Sequence, residues 1–202
     1  MTPLVHVIDD DDGVRDSLAM SLGVRGVEVR TFASALSFLE QAGDTAQACV
    51  VTDVNMPEMT GLELLERMAG RLDACPVIVL TGQADVPMAV EALKRGASDF
   101  LEKPVSSDAL FAAVTAALGR VSRRAEEAAR RAEGRRRLEA LTPRERNVFD
   151  GVVAGQSNKE IARALAISPR TVEAYRASLM VKMQADSLSD LVRMSLAAEE
   201  AR

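Results

Sequence analysis

Aromatic side chains are nearly missing from this 202-residue chain, which has no tryptophan, one tyrosine, five phenylalanines and a single histidine. Gripping single-stranded nucleic acid takes several aromatic platforms for the bases, so that class of partner is excluded. The two cysteines, Cys49 and Cys75, are too few and too far apart for a disulfide framework or a zinc site. Each borders an apolar segment and reads as a small buried residue. His6 lies inside the first strand-like run, which favours a core position over general-base or metal chemistry. No apolar run approaches the roughly 20 residues of a membrane span. The N-terminal MTPLVHVIDD lacks the basic stretch followed by an apolar one that marks an export signal. A soluble, cytoplasmic protein is the expectation.

What is present is ample core and unevenly placed charge. Hydrophobic residues at 48% and charged ones at 27% describe an ordinary globular chain, long enough for two domains. Residues 1–118 hold 8 Lys+Arg against 18 Asp+Glu, whereas residues 119–202 hold 17 against 12. The acidic first part argues against sequence-blind coating of DNA, and the basic second part suits a phosphate-facing surface.

Up to residue 118, short β-branched runs alternate with helical patterns. The strand-like runs are LVHVI (4–8), VEVRT (27–31), ACVVT (48–52), VIVL (77–80) and DFL (99–101). Val14, Leu18 and Leu22 form one helical stripe, and Leu62, Leu65 and Met68 another. Near-continuous apolar strands between helices predict an α/β fold with a parallel sheet covered on both faces, doubly wound in flavodoxin-like order 2-1-3-4-5. Function in such folds collects at the carboxyl ends of the strands, near the switch between strands 1 and 3. There the chain places Asp9 and Asp10, then Asp53, Thr81 and Lys103. Carboxylates crowded together repel unless a cation lies among them, and a few hard oxygens with room for water suit Mg²⁺. An aspartate beside such an ion can attack a phosphoryl group, with a lysine neutralising its oxygens. Asp53, alone at its strand end, is the candidate acceptor.

VIDDD, DVNMPEMTGLELL (53–65), LTG (80–82) and FLEKP (100–104) resemble the receiver domains of response regulators, over residues 4–118. The resemblance implies that Asp9 and Asp10 are the metal-binding acid pair, Asp53 the phosphoacceptor, and Asn55 a further Mg²⁺ ligand through its backbone carbonyl. It also implies Thr81 as switch hydroxyl, Phe100 as switch aromatic, Lys103 as phosphoryl partner and a cis Lys103-Pro104 bond. Asp11 and Asp12 are expected on the surface, capping the first helix. Taken singly, Thr81 serves equally as a helix cap and Phe100 as a core residue. A rival reading takes Asp10-Asp11-Asp12-Gly13-Val14 as the nucleophile motif of haloacid-dehalogenase-type phosphatases, with Asp10 attacking small phosphoesters. It lacks a later acidic pair and leaves Asp53 unexplained. A third reading keeps the receiver fold with a vestigial pocket.

RVSRRAEEAARRAEGRRRLEA (120–140) favours helix by composition and by opposite charges three or four apart, so residues 119–140 are expected to continue the fifth helix as a linker. Val114, Leu118, Val121, Ala125, Ala128 and Ala132 recur at four-three spacing, compatible with a weak coiled-coil seam or with a solvated single helix. Residues 141–202 then read as a small all-α domain of four helices. Its helix starts are marked by Thr142-Pro143-Arg144-Glu145, Ser157-Asn158-Lys159-Glu160, Ser168-Pro169 and Ser187 to Asp190. The break Ala166-Ile167-Ser168 has the length of a helix-turn-helix turn. On the following helix Val172, Leu179 and Met183 can face the core, leaving Thr171, Glu173, Ala174, Ala177 and Lys182 outward.

TPRE, NKEIA and SPRTVE together resemble the LuxR-type DNA-binding domain, over roughly residues 138–200. The resemblance implies a helix from Pro169 in the major groove of duplex DNA. Glu173 and Arg176 are then candidate base readers, and Lys159, Arg170, Thr171 and Lys182 candidate phosphate holders, with Ala174 and Tyr175 on the contact face. Tyr175 stands where the family often has histidine. Together the motifs look most like the FixJ branch of the NarL/FixJ response regulators. That implies a sensor histidine kinase, promoter DNA and RNA polymerase as partners, and a homodimer on phosphorylation.

Overall fold

A computed structural model describes residues 3–43, 45–82 and 86–199. The chain divides into two compact units, Met1–Arg124 and Ala125–Arg202.

The first unit is built on five strands, β1 (Leu4–Ile8), β2 (Glu28–Phe32), β3 (Ala48–Asp53), β4 (Val77–Thr81) and β5 (Asp99–Glu102). They form one parallel sheet, as the sequence pattern predicts, in the flavodoxin-like order β2-β1-β3-β4-β5. The helices between them are α1 (Asp12–Gly23), α2 (Ala35–Gln41), α3 (Gly61–Arg67) and α4 (Val86–Lys94), followed by α5 (Ser107–Glu139). Strand side chains alternate between two cores. Val5, Val7, Cys49, Val51, Ile78 and Leu80 meet Leu18 and Leu22 of α1 and Leu110, Ala113, Val114 and Ala117 of α5. Ile8, Val50, Val77 and Val79 meet Phe38 of α2, Leu64 and Leu65 of α3 and Ala92 of α4. Both faces are therefore covered, which is why β3 and β4 read as unbroken apolar runs. Cys49 and Cys75 are buried free thiols in opposite cores, and burial pushes the pKa of both up, that of Cys75 to about 11. His6 is fully buried between the rings of Phe32 and Phe38, at 5.6 and 5.3 Å between centroids.

Helix α5 is one 33-residue element. Its first half belongs to the sheet unit: Val114 and Val121 are buried, Arg120 bonds the carbonyl of Ser98, and Arg124 pairs with Asp73. At its far end, Leu138 joins the core of the second unit. Only the middle, residues 122–131, is exposed throughout. The first three positions of the four-three repeat, Val114, Leu118 and Val121, thus turn toward the protein's own interior rather than toward an open seam.

The second unit packs α6 (Pro143–Val153), α7 (Asn158–Leu165), α8 (Pro169–Met183) and α9 (Leu188–Glu199). Thr142 and Ser157 make reciprocal capping boxes with Glu145 and Glu160, Ser168 caps α8, and Ser187 exchanges hydrogen bonds with Asp190. Each serine or threonine satisfies an amide that the first helical turn leaves free. Val148, Phe149, Ile161, Val172, Leu179 and Met183 form the core. No helix among the described residues is long and apolar enough to cross a membrane.

Candidate functional site

The carboxyl ends of β1, β3 and β5 converge on one rim. Asp9 follows β1, Asp53 closes β3, and Lys103 follows β5. The Lys103 ammonium lies 2.6 Å from Asp9 Oδ2 and 2.5 Å from Asp53 Oδ1, so one cation bridges two buried carboxylates. Burial works to discharge this lysine, but hydrogen bonds to Asp53 and then to Asp9 outweigh it and raise its pKa above the usual 10.5. The other oxygens are held by backbone: Asp11 N–H donates to Asp9 Oδ1 at 3.0 Å, and Asn55 N–H to Asp53 Oδ2 at 2.6 Å. Arg15 of α1 reaches the Asp9 carbonyl at 2.6 Å. Both carboxylates are thereby aimed.

The remaining predicted residues surround this pair. Thr81, fully buried at the end of β4, is one position beyond Leu80, the register partner of Asp53. Its carbonyl accepts from Lys103 N–H at 2.7 Å, and its hydroxyl donates to the Met88 sulfur of α4 at 3.8 Å. Phe100, half-buried on β5, packs against the core under α2, α3 and α4. The Lys103-Pro104 bond is cis. Asp11 caps α1 by accepting from Val14 N–H, and Asp12 pairs with Arg15 in the first turn. Asp10 and Asn55 are exposed.

Among the described residues, no group of three or more histidine, cysteine, aspartate or glutamate side chains is assembled to hold a metal. Asp9 and Asp53 nevertheless offer oriented hard oxygens, and Asp10 and Asn55 follow them one and two positions along the chain. Such a sparse oxygen set fits Mg²⁺, which keeps several waters, better than Ca²⁺ or Zn²⁺.

Gly61 is a site residue to which the sequence assigns no role. A Cβ built there would stand 2.2 Å from the Asp53 carbonyl oxygen, because the start of α3 rests directly on the end of β3. Gly61 N–H donates to the Val54 carbonyl at 2.9 Å, which closes the loop. Glu58, in the same loop, holds a left-handed φ of 66°. No local signal distinguishes either residue from an ordinary loop position.

In the second unit, α7 and α8 are joined by Ala166-Ile167-Ser168, with Ala166 in the left-handed region at φ 55°. Val172, Leu179 and Met183 face inward, while Thr171, Glu173, Ala174 and Ala177 are exposed on α8. Lys159 and Arg170 are exposed, and Tyr175 is half-buried against the core. Arg176 is half-buried, its guanidinium donating to Asn158 Oδ1 at 3.0 Å. Lys182 is exposed, and its ammonium lies 2.8 Å from the carboxylate of buried Glu145. That carboxylate also accepts from Thr142 N–H and Oγ, both at 2.9 Å, and from Ser178 Oγ at 3.0 Å. Lys182 first, then the Thr142 backbone, holds the Glu145 pKa down to about 2. Sequence reading sees Glu145 only in a capping box with Thr142; its other partners, Ser178 and Lys182, lie more than thirty positions away.

A doubly wound parallel sheet with two acids and a lysine at one rim, followed by a helical unit carrying a helix-turn-helix, is the architecture of a two-component response regulator. Residues 5–115 match the response regulator receiver domain, and residues 139–195 match the bacterial regulatory proteins of the luxR family. The chain is 51% identical over 194 residues to the transcriptional regulatory protein FixJ of Azorhizobium caulinodans, covering 96% of this chain and 92% of that one. It is 47% identical to FixJ of Bradyrhizobium diazoefficiens, over 96% and 95% of the two chains. Among solved structures it is similar to full-length FixJ from B. japonicum, with 46% identity, a TM-score of 0.63 and 99% of each chain covered. It is also similar to the response regulator StyR, with 36% identity, a TM-score of 0.78 and 96% and 98% covered. The chain belongs to the response regulators with a LuxR-type DNA-binding domain, and it is FixJ-like. This is a family of transcription factors rather than enzymes, whose receivers work with a sensor kinase and whose helix-turn-helix binds DNA. The phosphatase reading is set aside: Asp10 is exposed, and Lys103 engages Asp9 and Asp53.

Proposed function

We propose that the chain is a phosphorylation-controlled activator of transcription, switched at Asp53. A phosphohistidine on a sensor kinase is the donor. An Asp53 carboxylate oxygen attacks the phosphorus, the phosphorus–nitrogen bond breaks, and the imidazole leaves as an acyl phosphate forms. Mg²⁺, held by Asp9, Asp10, Asp53 and the Asn55 carbonyl, would supply charge neutralisation for the phosphoryl oxygens. Lys103, already on Asp53, takes one phosphoryl oxygen, and the Thr81 hydroxyl turns to another. Small phosphodonors can replace the kinase, and hydrolysis of the acyl phosphate resets the protein. The observation that carries this reading is the Lys103 bridge to Asp9 and Asp53, which supports a buried, cation-lined acceptor.

The phosphorylated state must gain contacts that the resting state lacks. Val86, Val90 and Leu93 expose an apolar stripe at i, i+4 and i+7 on α4, next to the strand that ends in Thr81. Movement of Thr81 and Phe100 reshapes this face, and a second copy covers it. The domain limits we assign are a receiver to residue 118, a linker over 119–140 and a DNA-binding domain from 141. The dimer presents two α8 helices to a roughly palindromic duplex. Glu173, Ala174, Tyr175 and Arg176 face the groove, and Lys159, Arg170 and Thr171 meet phosphates, while Lys182, the fourth candidate phosphate holder, is engaged by Glu145. RNA polymerase is the downstream partner, in the cytoplasm. Footprinting on duplexes selected from a random pool tests the whole reading. Protection should appear with a small phosphodonor and Mg²⁺ and be lost in Asp53→Asn; equal protection with and without donor would leave a constitutive binder.

A further inference from the structure

The Glu145 carboxylate is the one buried acid of the second unit among the described residues, and it ties three segments together. Thr142 holds it at the start of α6, while Ser178 and Lys182 reach it from the second half of α8, one turn apart. Val172, Leu179 and Met183 anchor α8 by apolar contact, which is non-directional. Directional, charge-assisted bonds supply what apolar packing does not. From this geometry we infer that Glu145 is a positioning residue for DNA reading: it fixes the rotation of α8 through Ser178 and Lys182, and it consumes the Lys182 charge internally. Lys182 is then a tether of the recognition helix rather than a phosphate ligand. The inference rests on the reading of α8 as the DNA-recognition helix.

Two consequences separate a tether from a phosphate contact. Each phosphate neutralised by a lysine contributes about 0.9 to the slope of log affinity against log salt, so loss of a phosphate-bound lysine flattens that slope. Loss of a tether leaves the slope alone and blurs the choice between sequences. The test uses the full chain, phosphodonor-treated, with a duplex enriched from a random-sequence pool and a scrambled duplex of equal length. Lys182→Met is expected to keep the wild-type salt slope while the ratio of selected to scrambled affinity falls by roughly tenfold, as befits one charge-assisted bond. Glu145→Gln is expected to lower the same ratio, the double variant to lose no more than the larger single loss, and Lys182→Arg to retain most of it. A slope flattened by about 0.9 per protomer in Lys182→Met would overturn the inference. So would additive losses in the double variant, or a ratio unchanged by either substitution. Should Glu145→Gln lose its helical circular dichroism, the Lys182→Met slope and ratio decide alone. A selection that enriches no duplex speaks instead against the DNA-binding reading.

Discussion

Lys103 and Asp53, fifty residues apart in sequence, meet at 2.5 Å where β3 and β5 end, and the same ammonium reaches Asp9 at 2.6 Å. Removing the cation leaves two buried carboxylates facing each other and strips a phosphoryl partner from the acceptor. Lys103→Met should therefore slow formation of the Asp53 phosphoryl adduct by on the order of tenfold or more, the worth of one charge-assisted bond. Rapid-quench mass measurement with a small phosphodonor checks this. An unchanged rate would place Lys103 outside the chemistry.

The approach of α3 to Asp53 makes Gly61 intolerant of any side chain. Gly61→Ala puts a methyl 2.2 Å from the Asp53 carbonyl oxygen, inside contact with rigid backbone. Overpacking of this kind costs about 1–3 kcal/mol. The expected result is a lower denaturant midpoint together with slower phosphorylation. A variant with both at wild-type level would mean that α3 can withdraw freely.

His6 gives the first unit a pH dependence. Both ring nitrogens are buried with no hydrogen-bond partner among the described residues. Burial, then the charge of Arg30, lowers its pKa below 6.5. The unfolded chain therefore binds a proton that the folded chain refuses. Stability is complete above pH 6.5 and falls as pH drops from 6.5 toward the lowered value, by at most about 1.4 kcal/mol per pH unit for one group. Hydrogen exchange of the β1 amides should be faster at pH 5.5 than at pH 7.5 after correction for intrinsic rates. His6→Phe should remove that difference, and its survival in the variant would assign the effect elsewhere.

The exposed stripe on α4 predicts the dimer surface. Leu93→Glu places charge on the apolar stripe, which a second copy cannot bury without several kcal/mol of desolvation. Phosphodonor-treated Leu93→Glu should elute as a monomer while still carrying the phosphoryl group. A dimer in that variant moves the interface off α4.

The sheet was legible because the central strands β1, β3 and β4 are buried and mostly apolar, with acids or a hydroxyl at their carboxyl ends. Hence Asp9, Asp53 and Thr81 mark their strand ends directly. Capping chemistry is local too, and so the starts of α6, α7 and α8 at Pro143, Asn158 and Pro169 follow from Thr142, Ser157 and Ser168. Helix ends were less visible: Ala166 and Gln184 close α7 and α8 in the left-handed region without the glycine that normally signals it. Contacts between distant residues left no periodic trace. The pairing of Glu145 with Lys182, the rest of Asn158 on Arg176 and the seating of α3 on Asp53 all join segments whose own patterns are unremarked. The four-three repeat along α5 has a second origin for the same reason, since Val114 and Leu118 pack on the core beneath the sheet while Ala125 and Ala128 are exposed.

The most direct measurement is the intact mass of the wild-type chain and of Asp53→Asn after incubation with a small phosphodonor and Mg²⁺, with peptide mapping of the adduct. Wild type should gain one phosphoryl group on the peptide containing Asp53, and the variant none. A phosphoryl group of equal occupancy in Asp53→Asn, or one mapped to Asp10 in wild type, would contradict the assignment of Asp53 as the acceptor.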